Sequence, residues 1–326
     1  MLERSYSGVD SKAACTAVAH DLSLKTLFGV ETSLAYHPEI IALLNRAKEL
    51  ASILAFNVSL ISPLFSILQS VSDVLYGKLL KLRKLVLDEI DNQLKSNQQP
   101  HQELPFSTYM VLRNRRDNEG EQKIFRHVHE VFVTAGHTVA SKLSNTICFL
   151  AVLPDIQERA WQEQYEIFGN DIRDPTIEEL SQMKFLDRFL KESFRFLGPP
   201  FLGKEATADI NVDGITIPRG AIVVYLLRYI KLHPKYWNNP NIFDPDRFLD
   251  ENDYLKFSYS PFGIGIRNCP GEYYGTIFLK IALSKMLRRI KFRPVEKDFR
   301  FEDIKFKSYL FLEVDNPPKL QIEKRT

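Results

Sequence analysis

Apolar residues recur at intervals of three and four through DLSLKTLFGV, ELASILAF and LLKLRKLVLDEIDNQL, a pattern that predicts several packed helices across residues 10–94. Residues 95–122 turn polar, with SNQQPHQELP and RNRRDNEGEQ around a short apolar island, and read as an exposed connection. A long, mostly apolar segment follows over 127–153 and stops at Pro154, which predicts a helix buried across a domain. Residues 155–168 and 176–196 predict two more helices. The second opens with Thr176 and carries Glu179 three positions on, the spacing of a capping box, and Gly198-Pro199-Pro200 ends it. The pattern then changes to a period of two over about 201–228. NVDGITIP places Asp213-Gly214 between two short strands as a tight turn, and AIVVYLL reads as a buried strand. An apolar-periodic helix through TIFLKIALSKMLRRI completes a mainly α chain with a small β region. No repeat or linker divides it, so a single domain over 1–326 is the simpler organisation.

Composition narrows the function classes. The chain has 326 residues and is 44% hydrophobic, enough for a continuous core. Its 43 basic and 41 acidic side chains leave a net charge of +2, which gives no global field toward nucleic acid or acidic lipid. No apolar run spans a bilayer and the opening MLERSYSGVDSKAAC lacks the core of a signal peptide, so the chain as written is expected to be soluble. Cys15, Cys148 and Cys269 lie far apart, without metal-finger spacing, as suits free thiols in a reducing compartment.

Of the three, Cys269 has the informative surroundings, F-G-I-G-I-R-N-C-P-G from Phe262 to Gly271, just ahead of a helix. Gly263 and Gly265 allow a backbone path that lies flat against a planar ligand, and Phe262 can shield the sulfur from water. Arg267 supplies a fixed cation for a carboxylate. Pro270 is expected in the first turn of the helix and lacks an N–H, while the helix N-terminus and the N–H groups of Gly271 and Glu272 favour a metal-binding thiolate.

Phe262, Gly265, Arg267, Cys269 and Gly271 fill all five fixed positions of the cytochrome P450 signature, and the chain resembles that family. The resemblance implies the later two thirds of the P450 fold. It also implies heme b with Cys269 as axial thiolate, a ligand that pushes electron density toward iron and favours O–O cleavage. In the family a Glu-x-x-Arg pair joins an arginine from a Pro-x-Arg-Phe segment. Glu192, Arg195 and Arg247 stand in that order and imply a buried triad that fixes the approach to the cysteine loop. GITIPRG and HPKYWNNPNIFDPDRF resemble fungal members in particular. Lys204 stands where a cation meets a heme propionate and Lys231 where histidine is common; each either binds propionate or is simply solvated.

Two departures qualify the resemblance. The family's central helix carries a carboxylate before its threonine, and this chain reads Ala135-Gly136-His137-Thr138. Thr138, sixteen residues before Pro154, keeps the expected register. Either His137 has replaced the acid or one residue is lost; histidine can relay protons, and it can equally be a hydrogen-bonded interior residue. The match also begins only near HDLSLKTLFGVE, so most of the early sheet, the substrate-facing loop and any anchor of the family lie outside it. The expectation is a fungal-type monooxygenase of secondary metabolism that acts on a small organic molecule and draws electrons from an NADPH-dependent reductase. By the same resemblance it is intracellular, at the endoplasmic reticulum, with membrane association only through a missing N-terminal anchor. The alternatives are a heme-thiolate isomerase or dehydratase, and an inactive truncated remnant.

Overall fold

The computed structural model describes residues 5–29, 121–250, 258–308 and 311–325, with the single positions Asp88 and Lys95. Apart from those two positions, the helices expected over 30–94 and most of the polar connection after them lie outside the described residues. The described chain is mainly α with small sheets and divides into two compact units.

The first unit gathers Met1–Ala151, Phe292–Phe299 and Pro317–Glu323. Its sheet has the order β1 (Ser5–Val9), β9 (Leu320–Lys324), β6 (Ile290–Pro294), with β1 antiparallel to β9. Helix α1 (Ser11–Phe28) starts where the Asp10 carboxylate accepts the N–H groups of Lys12 and Ala13, satisfying two donors that the first turn leaves over. It ends at Gly29, whose φ of 67° closes the last turn. Helix α2 (Glu121–Val152) is the long segment expected from the sequence, and its 32 residues reach about 48 Å. Its second half buries Leu143, Ile147, Phe149 and Leu150 together with Ser144 and Thr146. The Thr146 hydroxyl donates back to the carbonyls of Lys142 and Leu143, which is how a polar residue persists inside a buried helix.

The second unit comprises Val152–Lys291, Arg300–Asn316 and Lys324–Thr326. Helix α3 (Pro154–Phe168) begins on its proline. The helix expected over 176–196 is in fact two, α4 (Ile177–Gln182) and α5 (Lys184–Leu197), because Met183 leaves the helical region at ψ 71°. The capping box between Thr176 and Glu179 is present. Glu163 of α3 caps α5 by accepting the N–H groups of Phe185 and Leu186, so the restart after Met183 is satisfied from another helix. That signal is nonlocal, which is why periodicity alone ran the two helices together.

Helix α5 is the hub of this unit. It packs on α3, on the 3-10 turn Pro245–Phe248, on α6 (Leu227–Lys231), on α7 (Glu272–Leu287) and on β8 (Leu312–Val314). Gly198 ends it, as expected. Strand β2 (Leu202–Glu205) pairs antiparallel with β5 (Ile222–Tyr225), and β3 (Ile210–Val212) with β4 (Ile215–Ile217). Asp213 and Gly214 both take positive φ, the geometry of the tight turn that the sequence predicted. AIVVYLL, expected as one buried strand, differs: it turns helical at Leu227, and β5 leaves Ile222 and Val224 exposed. A continuous apolar run shows that a strand can bury both faces, not that a neighbour covers them. A last hairpin pairs β7 (Phe306–Ser308) with β8.

Candidate heme-thiolate site

The cysteine loop is built from backbone. Gly263 and Gly265 take φ of 80° and 83°, a region that favours glycine, and turn the chain twice within three residues. The Cys269 N–H donates to the Phe262 carbonyl at 2.8 Å and the Asn268 N–H to the Gly265 carbonyl at 3.0 Å, so the loop closes on itself. A Cβ added at Gly265 would meet nothing within 4 Å, so backbone conformation alone selects glycine there. Cys269 is exposed, flanked by exposed Ile264, Ile266, Arg267 and Asn268. Helix α7 begins at Glu272 with Gly271 as its cap; Pro270 thus precedes the cap instead of occupying the expected first turn. The closing turn places Cys269 Sγ next to Gly271, where an added Cβ would sit 3.8 Å from the sulfur.

Two attachments seat this loop on α5. The Phe262 ring meets the Phe194 ring edge-on at 5.3 Å, and the Tyr259 hydroxyl donates to the Lys191 carbonyl at 2.9 Å. Phe262 is half-buried, so it backs the loop more than it roofs the sulfur. Lys204 on β2 also donates to the Ile264 carbonyl at 3.2 Å. A thiol in the open, two cations within or against the loop, and backbone flattened by left-handed glycines form a donor set that fits a planar iron ligand with carboxylate arms.

Glu192, Arg195 and Arg247 meet at positions of α5 adjacent to Lys191 and Phe194, which receive the loop. The Glu192 carboxylate accepts from Arg195 Nε and Nη2, both at 2.8 Å, from Arg247 Nε at 3.0 Å and from the Asp244 N–H at 2.9 Å. The remaining guanidinium donors reach carbonyls, those of Lys231 and Ile242 from Arg195 and those of Asn238 and Ile242 from Arg247. Trp237 lies under both arginines, at 5.2 Å and 6.0 Å, and touches Phe248 and Tyr259. This aromatic bridge from the triad to the loop has no local sequence signature, and Trp237, Tyr259 and Phe194 were not among the residues singled out from sequence.

Lys231 differs from the exposed cations. It is 1% exposed, and its amine lies in the space that a side chain at Gly198 would fill, with no hydrogen-bond partner among the described residues. Burial, with Arg195 nearby, lowers its pKa to about 7. Such a group suits an uncharged seat better than a propionate contact.

His137 and Thr138, both half-buried, stand on α2 in the first unit. Beside them the ring of His20 from α1 lies against Gly136, close enough that a Cβ there would come within 2.4 Å of its Nδ1. Burial, with His137 adding to it, pushes the His20 pKa down to about 3, so this imidazole is neutral in the fold. Nothing in the local sequence marks His20, because the contact is between helices more than a hundred residues apart.

Comparison with known proteins adds a family and its relatives. The family model described as cytochrome P450 matches residues 3–322. Among curated proteins the chain is similar to cytochrome P450 4c21 of Blattella germanica, 34% identical over 68% of this chain and 44% of that protein. It is 34% identical to probable cytochrome P450 313a4 of Drosophila melanogaster over 59% of this chain and 40% of the relative. Human cytochrome P450 3A5 is also 34% identical, over 51% of this chain and 34% of its own length. The matched stretches thus span less than half of each of these relatives.

Proposed function

The chain belongs to the cytochrome P450 family, and from that premise we propose that it is a heme-thiolate monooxygenase acting on a small organic substrate, with Cys269 as the residue that would hold heme b through its thiolate. The observation that carries the proposal is the geometry of the loop, an exposed thiol on a twice-turned backbone tied to α5. When bound, heme supplies the activation of dioxygen from which one atom enters the substrate. This chain's residues hold and orient it. Cys269 donates its thiolate, and Gly263, Gly265 and Gly271 keep side chains off the contact face. Arg267 and Lys204 are the candidate partners of the propionates. Glu192, Arg195 and Arg247 hold the loop's support and touch no reacting atom.

By the sequence resemblance, Thr138 is the proposed relay hydroxyl, and His137 takes the place of the acid as a proton carrier. Electrons come from a separate NADPH-dependent reductase, and an intracellular membrane setting belongs to the same proposal. The fungal resemblance of the hairpin remains on the sequence. The relatives named above are insect and human, so they lend no support to a fungal secondary pathway. No single helix among the described residues is long and apolar enough to cross a membrane.

A second reading, a heme-thiolate isomerase or dehydratase, is favoured by one observation, the missing carboxylate in Ala135-Gly136-His137-Thr138. Consumption of NADPH in step with product would exclude it. The primary test is to load the chain with heme, reduce it and add carbon monoxide. The thiolate-type Soret band is expected in the native chain and its loss in Cys269→Ser; the same band in both would remove Cys269 from the site.

A further inference from the structure

Lys231 ends α6 and sends its side chain into the body of the second unit, where the amine reaches Gly198 at the end of α5. An added Cβ at Gly198 would lie 2.0 Å from Nζ and 2.9 Å from the Phe194 carbonyl, so the lysine occupies the volume that glycine leaves free. The turn it fills is consequential. Gly198 leads through Pro199 and Pro200 into β2, the Pro200 carbonyl accepts the Arg228 N–H of α6 at 2.9 Å, and Leu202 of β2 lies against Gly263. Two residues further along the strand, Lys204 holds the Ile264 carbonyl of the cysteine loop.

The charges around the amine are mostly of its own sign. Across from it, α5 presents Arg195, which also donates to the Lys231 carbonyl. The Glu192 carboxylate on the same helix is committed to Arg195, Arg247 and the Asp244 N–H. Arg247 of the 3-10 turn is spent on Glu192 and on carbonyls. On its own helix the neighbouring charge is Arg228, and beyond the helix end comes His233, whose Nδ1 accepts from Lys235 N–H. The carbonyl end of α5 favours a cation, but only as a partial charge, and it is weaker than the burial that opposes one.

We propose that Lys231 is a positioning residue carried as a neutral amine, which seats the Gly198 turn, and that its protonation in acid loosens the turn through which β2 reaches the cysteine loop. This goes beyond heme binding and can be read without heme, so its failure leaves the heme proposal standing. The linkage has a definite sign. The folded pKa of about 7 lies below the ordinary 10.5 of lysine. Between those values the unfolded chain holds a proton that the folded chain lacks, so stability rises with pH from 7 toward 10.5 and the cost of the buried amine is complete below 7.

The test compares the full chain with Lys231→Met, which is unbranched, one heavy atom shorter, and removes the titration. In urea unfolding from pH 6 to 10, the native chain's unfolding constant should fall up to tenfold per unit above pH 7 relative to the variant. Amide exchange of peptides covering 198–206 should be faster in the native chain than in Lys231→Met at pH 6, and the two should converge at pH 9. A role in packing alone would give the same difference at both pH values. Parallel unfolding profiles, or a Lys231→Met chain that does not fold, would overturn the proposal, since a seat for an uncharged group accepts an unbranched apolar one of similar length.

Discussion

Replacing Glu192 by alanine would strand one of the largest buried charges in the second unit. The Arg195 side chain is fully enclosed, and after the substitution only the Lys231 and Ile242 carbonyls would face its guanidinium. Removing one member of a buried ion pair costs about 3–5 kcal/mol, because the surviving charge keeps its desolvation penalty without its partner. The two carbonyls soften the loss, and Arg247 reaches solvent more readily at 9% exposure. A cost near ~4 kcal/mol follows, roughly a thousandfold in the unfolding constant. Equilibrium urea unfolding followed by tryptophan fluorescence measures it, since one of the two tryptophans, Trp237, sits under both arginines. The double variant Glu192→Leu with Arg195→Met removes both charges and should recover at least about 2 kcal/mol of the single variant's loss. A loss under about 1 kcal/mol in Glu192→Ala, the range of an exposed pair, would refute a buried, mutually satisfied triad.

Gly136→Ala separates helix propensity from packing by sign. Propensity favours alanine by about 1 kcal/mol, but the new Cβ would come within 2.4 Å of Nδ1 of the enclosed His20 ring. Overpacking costs about 1–3 kcal/mol, so a lower thermal midpoint is expected, and a higher one would show that the ring has room to retreat. Thr176→Ala should cost about 1 kcal/mol through loss of the bond to the Glu179 N–H, read as a reduced urea midpoint. Glu179 itself is held at about 2 by Arg173 first and by the Thr176 N–H next. Its contribution is therefore present above about pH 4.5 and fades as pH falls toward 2, and Arg173→Ala should flatten that acid limb of the stability profile.

What the sequence disclosed and what it withheld divide along the range of the interaction. The Asp213-Gly214 turn, the Thr176 capping box and the stop at Gly198 each depend on a few neighbouring residues, and each stands where the sequence predicted it. The cysteine loop was legible because its glycines, cysteine and arginine are packed into ten residues. The break at Met183 was not, because it is stabilised by Glu163, about twenty residues upstream on another helix. Lys231 reads in sequence as one more cation, and only the glycine across from it shows that it is enclosed. Likewise the AIVVYLL run states a preference for extended chain but says nothing of which neighbour would cover it.

The sulfur and the triad are in opposite surroundings, one exposed and the other enclosed, and α5 reconciles them. Glu192 and Arg195, three apart, take hold of Arg247 and the chain around Ile242. Lys191 and Phe194, also three apart and each one position earlier, receive Tyr259 and Phe262 at the root of the loop. Adjacent stripes of a single helix thus fix both groups, so a rotation of α5 moves them together. An open loop with few side-chain contacts of its own can hold a thiol in place only if its root is rigid. Burying a charged triad one stripe away stiffens that root while keeping the costly interior charges at a distance from the exposed sulfur.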